Sequence, residues 1–124
     1  MTLVLDAGAL IGVERNDREL VVLFSRAIER GRAIVVPAGV VAQVWRDPSR
    51  QVRLARLLNA EDVVIADLDL ELARAVGRLL AARDASDVID ASVAVLARQY
   101  AAAVVTSDAG DIRRLSPKTR VIEC

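Results

Sequence analysis

Leu-Val-Leu-Asp at residues 3–6 and Ala-Val-Val-Thr-Ser-Asp at residues 103–108 decide the fold of this chain. Each stretch is a short apolar run that is followed by an acidic residue, Asp6 in the first and Asp108 in the second. Continuous apolar runs are typical of strands in a parallel sheet covered on both faces. Ligands of such sheets bind beyond the carboxyl ends of the strands. If these two strands are neighbours, the carboxylates of Asp6 and Asp108 face one crevice.

Strand and helix patterns alternate along the whole chain. Apolar runs predict strands at residues 2–5, 33–36, 63–66 and 102–106, with a weak final strand at 121–122. The helical apolar period predicts helices between them, at residues 7–14, 18–30, 37–45, 50–58, 70–83, 88–100 and 109–115. This alternation predicts an α/β fold, a parallel sheet with helices on both faces. A chain of 124 residues suits one domain, here residues 1–124.

The composition excludes several kinds of chemistry. The chain has no histidine, which excludes Ser-His-Asp, Cys-His and other histidine-based acid–base schemes. Its one cysteine, Cys124, excludes an intramolecular disulfide and a cysteine-cluster zinc site. Seventeen basic and seventeen acidic residues give a formal net charge of zero, which argues against a uniformly basic nucleic-acid binder. Lys118 is the only lysine, so every other cationic side chain is arginine.

Targeting signals are missing from the sequence. No apolar run approaches the ~20 residues that a membrane-spanning helix needs. The first residues also lack the basic stretch and apolar core of a signal peptide. We therefore expect a cytoplasmic protein with no membrane partner. Phe24, Trp45 and Tyr100 are the only aromatic residues, which disfavours an aromatic stacking platform for single-stranded nucleic acid.

Acidic residues also open the apolar helical pattern at residues 88–100. Asp87 and Asp90 are three residues apart and share a helical face, so both can point at the crevice of Asp6 and Asp108. Each acid also has an ordinary explanation as a helix cap, worth about 0.5–2 kcal/mol. Two unit charges 4 Å apart, however, repel by about 4 kcal/mol at an effective dielectric of 20. A divalent cation relieves such crowding, and an all-oxygen donor set suits Mg²⁺ or Mn²⁺.

Four stretches resemble the PIN-domain family, especially the VapC-type toxins of bacterial toxin–antitoxin pairs. They read Leu-Asp-Ala-Gly-Ala-Leu-Ile at residues 5–11, Val-Pro-Ala-Gly-Val-Val at 36–41, Asp-Val-Ile-Asp-Ala-Ser-Val-Ala at 87–94, and Val-Val-Thr-Ser-Asp at 104–108. Their order and spacing fit the family across the chain. The resemblance implies a single PIN-like domain with about five parallel strands in the order 3-2-1-4-5. It also implies a metal-dependent endoribonuclease that acts as a toxin.

The resemblance implies the site residues as well. The family's four acidic positions fall on Asp6, position 43, Asp90 and Asp108, with Asp87 and Asp111 as further acids around the Mg²⁺ or Mn²⁺. A hydroxyl residue near the last acid would be Thr106 or Ser107. The implied partners are an RNA substrate, a VapB-like antitoxin and a second copy of the chain. The apolar positions themselves offer two candidate dimer contacts, the helix at residues 18–30 and the region of Leu54, Leu57 and Leu58, with ordinary core packing as the alternative.

Position 43 departs from the family pattern, because Gln43 stands where glutamate is usual. Its amide can offer a neutral carbonyl oxygen but no charge, which weakens metal binding. The alternative function is therefore a PIN-like module that binds RNA or an antitoxin with weak or no catalysis. A third hypothesis for the function is a receiver or phosphoryl-transfer domain, which also has an aspartate after the first strand. That reading lacks an acid beside Asp6 and a glycine-rich phosphate loop.

Arginines recur at three- and four-residue steps at Arg46, Arg50, Arg53 and Arg56. If one helical path continues through Pro48, they form a basic stripe that binds RNA beside the acidic crevice. The arginine fork suits phosphate well. An ordinary solvated helix face is the alternative explanation of the same spacing.

Overall fold

Short runs of valine, leucine and isoleucine form the strands of a five-stranded sheet. The computed structural model describes residues 2–124. The strands are β1 (Leu3–Leu5), β2 (Ile34–Pro37), β3 (Val63–Ala66), β4 (Ala103–Thr106) and β5 (Val121–Glu123). The helices are α1 (Ala7–Glu14), α2 (Arg18–Glu29), α3 (Ala38–Val44), α4 (Val52–Leu58), α5 (Leu70–Arg83), α6 (Val88–Gln99) and α7 (Ala109–Leu115).

All neighbouring strands run parallel, and their order is β3-β2-β1-β4-β5. The predicted α/β class and strand order are therefore confirmed. β1 lies between β2 and β4, with Leu3 opposite both Ile34 and Ala103 and Leu5 opposite Val105. The chain winds outward in one direction from β1 to β3 and then returns to the other side of β1. The gap between β1 and β4 is thus the point where the strand order reverses, which is where open α/β sheets bind ligands.

Two groups of helices pack on the sheet. α6 contacts β1, β2 and β4 and has α5 and α7 as neighbours, whereas α1 contacts β1 and β4 and has α2, α3 and α4 around it. The residues of α6 from Ala91 to Ala97 are all buried, and alanine at three of these positions lets the helix lie close to the strands. The small apolar residues of α6 therefore hold its first turn, with Asp87 and Asp90, at the edge of the central strands.

The four arginines of the candidate basic stripe do not lie on one helix. α3 ends at Val44 and α4 begins at Val52, so no single helix passes through Pro48. Proline has no amide hydrogen to donate and disfavours helical geometry in the residue before it. Arg46 and Arg50 consequently lie in a connection outside both helices. They cannot form one helical stripe with the arginines of α4.

Gln51 holds this connection in place, and sequence patterns gave no sign of it. The side chain is only 4% exposed. Its Oε1 accepts hydrogen bonds from the backbone amides of Arg46 (2.8 Å) and Asp47 (3.0 Å), and its Nε2 donates to the carbonyl of Val44 (2.9 Å). A single buried amide thus satisfies three backbone groups that the end of α3 leaves unpaired.

Residues 54–58, one of the two candidate dimer contacts, belong to the core. Leu54 is fully buried, and Leu57 and Leu58 pack against the buried cluster. In contrast, α2 leaves Val21 and Val22 about two-fifths exposed. Within residues 2–124, every helix is too short or too polar to cross a bilayer.

Gly8 allows α1 to approach the segment that follows β4, and its replacement tests this contact. A Cβ at position 8 would lie 2.6 Å from the Cβ and 3.0 Å from the backbone nitrogen of Ser107. We expect Gly8→Ala to lower the free energy of unfolding by about 1–3 kcal/mol, because overpacking forces backbone shifts. Urea unfolding measures the change.

Gly77 in α5 provides a matched control. A Cβ there meets no heavy atom within 4 Å. Gly77→Ala should therefore stabilise the protein by about 0.4–1 kcal/mol through the loss of unfolded-state entropy. A Gly8→Ala variant that gains stability like Gly77→Ala would show that α1 and Ser107 are not in contact.

Candidate active site

Asp6 stands at the carboxyl end of β1, where the strand order reverses. It is the N-cap of α1, and its Oδ1 accepts a hydrogen bond from the amide of Ala9 (3.3 Å). Its Oδ2 accepts a hydrogen bond from the hydroxyl of Thr106, the last residue of β4. Because β1 and β4 are hydrogen-bonded neighbours, the backbone amide of Asp6 also donates to the carbonyl of Val105 (3.1 Å). The strands that end before Asp6 and Asp108 are therefore neighbours, which is the condition for the predicted crevice.

The hydroxyl of Thr106 links the two strand ends. Thr106 is fully buried, and its Oγ1 accepts a hydrogen bond from the amide of Asp108 (2.9 Å) while it donates to Asp6. Of the two hydroxyl residues that the family resemblance pointed to, Thr106 makes these contacts and Ser107 is exposed. One buried hydroxyl thus fixes the orientation of the Asp6 carboxylate relative to the backbone of Asp108.

Asp108 and Asp111 belong to the start of α7. Asp108 is the N-cap of this helix, and its Oδ1 accepts a hydrogen bond from the amide of Asp111 (3.3 Å). Asp111 in turn forms an ion pair with Arg114, one turn further along. The predicted capping arrangement is present, and it leaves one carboxylate oxygen of Asp108 outside the cap.

Asp87 and Asp90 meet at the start of α6. Asp87 is the N-cap of this helix, and its Oδ1 accepts a hydrogen bond from the amide of Asp90 (2.8 Å). The Asp90 side chain is partly buried. Asp87, Asp90 and Asp111 share a cleft of about 350 Å³ with Arg83 and Arg114.

The carboxylates are close enough for their charges to act on one another. Burial raises the pKa of Asp90 to about 6, with further contributions from the negative charges of Asp87, Asp6 and Asp108, while Arg114 opposes the shift. Burial also raises the pKa of Asp6, and the charge of Asp108 acts in the same direction. The hydrogen bond from Thr106 partly offsets the shift at Asp6. Asp6, Asp90 and Asp108 therefore form one electrostatic group, although Asp6 and Asp108 are not among the residues that line the cleft of Asp90.

The donor set suits a hard cation in an open site. Within residues 2–124, no three acidic side chains stand close enough together to form a ready-made metal site. Magnesium, however, usually keeps several of its waters and binds through only one or two carboxylates. Three mutually repelling aspartates, with no nitrogen or sulfur donor beside them, fit such an ion. They do not fit a cage in which protein atoms fill every coordination position.

Gln43 and the four arginines of the predicted stripe are not among the residues that line the cleft of Asp87 and Asp90. Gln43 is exposed on α3 and does not line the cleft of Asp87 and Asp90. The guanidinium of Arg46 donates to the carbonyls of Ala42 and Trp45, that of Arg50 pairs with Asp47, and that of Arg53 reaches the carbonyl of Glu14. Arg56 is exposed on α4.

Arg114 is a residue of the site that sequence reasoning missed. It lies in the cleft with Asp87 and Asp90, pairs with Asp111 and lowers the pKa of Asp90 against the other charges. The three-residue spacing from Asp111 was a usable signal, since acid–base pairs at this spacing meet on a helix. Its approach to Asp90 comes from the packing of α7 against α6 and has no local signature.

The sheet order is the one that the family resemblance implied. The chain belongs to the PIN domain family, whose model matches residues 3–116. No curated protein sequence is significantly similar to this chain.

Several solved structures have the same fold at low sequence identity. VapBC2 from Rickettsia felis, bound to a DNA fragment from its promoter, has 15% identity and a TM-score of 0.75 over 100% of this chain and 99% of the other. VapBC-1 from nontypeable Haemophilus influenzae has 15% identity and a TM-score of 0.71 over 99% and 98%. FitAcB from Neisseria gonorrhoeae has 15% identity and a TM-score of 0.65 over 98% and 96%.

The raised pKa of Asp90 predicts that acid stabilises the metal-free protein. The folded protein holds the Asp90 proton up to about pH 6, whereas the ordinary pKa is 3.8. The contribution of this proton to the stability of the folded protein is complete below the ordinary pKa of an aspartate and is lost as the pH rises through about 6. Because solvent screens a partly exposed carboxylate, we expect the free energy of unfolding to fall by on the order of 1 kcal/mol.

Urea unfolding in EDTA, across this pH range, measures the effect. Asp90→Asn is the control, because it removes the titrating group and should flatten the pH dependence apart from the smaller contribution of Asp6. Identical pH profiles for the wild type and Asp90→Asn would contradict the crowding of charges around Asp90.

Proposed function

We propose that this protein is a metal-dependent endoribonuclease and the toxin of a toxin–antitoxin pair. The observation that supports this most is the electrostatic group of Asp6, Asp90 and Asp108 at the point where the strand order reverses. Members of the PIN domain family are in general nucleases, and this chain matches the family over nearly its whole length. A repelling carboxylate group gains stability from a bound cation.

Asp6, Asp90 and Asp108 would hold Mg²⁺ or Mn²⁺, with Asp87 and Asp111 beside them. The bound ion would supply an activated water and neutralise charge at the scissile phosphate. The residues of the chain prepare this site. Thr106 orients Asp6, and α6 and α7 project Asp90 and Asp108 from the ends of rigid elements. The absence of histidine leaves carboxylates as the groups that accept a proton from water.

An antitoxin and a second copy of the chain are the proposed protein partners. The similar structures are VapBC and FitAB complexes, which supports an antitoxin of the VapB or FitA kind. An arginine from such a partner would relieve the repulsion among the aspartates, as Arg114 does in part. The exposed Val21 and Val22 on α2 support a homodimer through that helix. Cytoplasmic RNA is the proposed substrate.

The alternative is a PIN module that binds RNA or an antitoxin without turnover. Gln43 favours it, because this exposed position on α3 contributes no negative charge. A cation held by fewer charges binds more weakly. The two functions differ in whether the wild-type protein cleaves RNA.

Removal of single charges tests the nuclease proposal. We expect Asp6→Asn, Asp90→Asn and Asp108→Asn each to reduce cleavage of structured RNA by about 100-fold or more, because each would lose a metal ligand. Gel assays in Mn²⁺ and in EDTA measure the effect. Asp62→Asn is the matched control, since this exposed acid lies before β3. Cleavage by the wild type that survives EDTA would falsify the metal mechanism.

Gln43→Glu tests the departure from the family pattern. If the side chain at position 43 reaches the metal, the added charge should tighten Mn²⁺ binding by about tenfold and raise turnover, since affinity at such sites rises with ligand charge. Isothermal titration calorimetry and RNA cleavage measure the two effects. Gln43→Ala is the control for loss of the amide. Equal Mn²⁺ affinity for Gln43→Glu and the wild type would place position 43 outside the metal site.

A further inference from the structure

A groove lined by cationic side chains begins beside the acidic cleft. Four cationic side chains line it, and we call it the basic groove: Arg83, Arg98, Lys118 and Arg120. Its volume is about 510 Å³, compared with about 350 Å³ for the acidic cleft. Its other lining residues are alanine, serine, threonine and proline, with no acidic residue among them. In a chain of zero net charge, this is a local concentration of positive charge.

Three of the cations of the basic groove are available to a ligand. Arg83, Arg98 and Lys118 are exposed, and none of the three forms an ion pair with another residue in the range 2–124. In contrast, Arg46, Arg50 and Arg53 each bond to nearby groups of the protein. An unpaired arginine gives up no internal contact when it binds an anion.

Hydrogen bonds between Ser116 and Thr119 hold the turn that carries Lys118. Ser116 is buried, and its hydroxyl lies 2.6 Å from that of Thr119. The amide of Thr119 also donates to the carbonyl of Ser116 (3.0 Å), which closes a turn around Pro117 and Lys118. A closed turn with proline in it loses little conformational freedom when a ligand binds.

Arg83 connects the two sites, because it lines both the basic groove and the cleft of Asp87, Asp90 and Asp111. From there the groove extends to Ala102 and Arg120, which directly precede β4 and β5. It therefore runs from the carboxyl edge of the sheet to the amino edge. Four residues of strand span about 13 Å at ~3.3 Å per residue, so the groove suits an extended ligand.

We propose that the basic groove binds the phosphodiester backbone of single-stranded RNA and leads it away from the acidic cleft. The ligand is polyanionic because the cations are spread along the groove. It is bound through its phosphates, since the lining contains no aromatic residue on which bases could stack. An acidic protein segment would need apolar pockets for anchoring side chains, and the lining has only alanines and a proline. This inference rests on RNA as the substrate class of the proposed function.

The test is RNA binding in EDTA, where a metal-dependent nuclease does not act. Fluorescence anisotropy with a labelled oligouridylate compares the wild type with the double variant Arg98→Ala/Lys118→Ala. We expect this variant to bind about tenfold more weakly, with the salt slope of log affinity smaller by about 1.4, since each single-strand phosphate contact contributes about 0.7. Both side chains are exposed, and circular dichroism melting checks that the fold is kept.

Arg53→Ala/Arg56→Ala is the matched control, because it removes the same charge from α4. An equal loss of affinity in both double variants would mean that only net charge matters, and a larger loss in the control would place RNA on α4. Either result overturns the proposal. So does unchanged RNA affinity in the groove variant with weaker binding to a polyglutamate peptide, which would assign the groove to an acidic protein segment.

Failure of the nuclease proposal gives a different result. If the wild type cleaves no RNA in Mn²⁺ and only the groove variant binds RNA more weakly, the catalytic proposal is removed and the basic groove is kept. RNA cleavage by the wild type, together with equal RNA affinity for the wild type and the Arg98→Ala/Lys118→Ala variant, would keep the catalytic proposal and remove the basic groove.

Discussion

The parallel pairing of β1 with β4 is the constraint on which the rest of the site depends. It places Asp6 beside Thr106, so that one buried hydroxyl can bond to the Asp6 carboxylate and to the amide of Asp108. Without this pairing, two acids about a hundred residues apart in the chain have no reason to meet. The pairing has an energetic cost, because it concentrates negative charge where burial already disfavours it. Sites arranged for binding commonly give up stability in this way.

The capping and ligand roles of the aspartates are compatible. Asp6, Asp87 and Asp108 each accept a backbone hydrogen bond through Oδ1 as the N-cap of a helix. Such caps hold each carboxylate in one orientation, and helix N-termini also favour negative charge. The second oxygen of Asp87 and Asp108 stays outside the cap. Because helices of this architecture start where strands end, the residues that begin a helix are also those that face the crevice.

The sequence predicted what depends on local patterns and missed what depends on packing between distant elements. Most strand and helix boundaries were predicted to within two residues, because apolar periods and capping residues are local signals. Separate helices on the two sides of Pro48 were predicted, but the role of Gln51 between them was missed, since a buried amide that bonds to three backbone groups has no periodic signature. The strand order came from family resemblance, since periodicity does not specify which strands are neighbours. Arg83 and Lys118 are 35 positions apart, and only the fold shows that they share a groove.

Zero net charge is a poor guide to what this surface binds, because opposite charges are separated in space. The acidic cleft lies at the carboxyl edge of the sheet, and the basic groove extends to the amino edge. The two edges are about 13 Å apart along β4 at ~3.3 Å per residue. Charges in salt are screened over about 8 Å at physiological ionic strength, so a phosphate in the far part of the groove experiences mainly the cations. Local potential, rather than the sum over the chain, therefore governs the approach of a polyanion. Arg83 and Arg114 lie where the two regions meet, and there a polyanion passes from attraction by arginine to repulsion by aspartate. A divalent cation among the aspartates removes that repulsion, so metal binding and entry of the strand into the cleft favour one another.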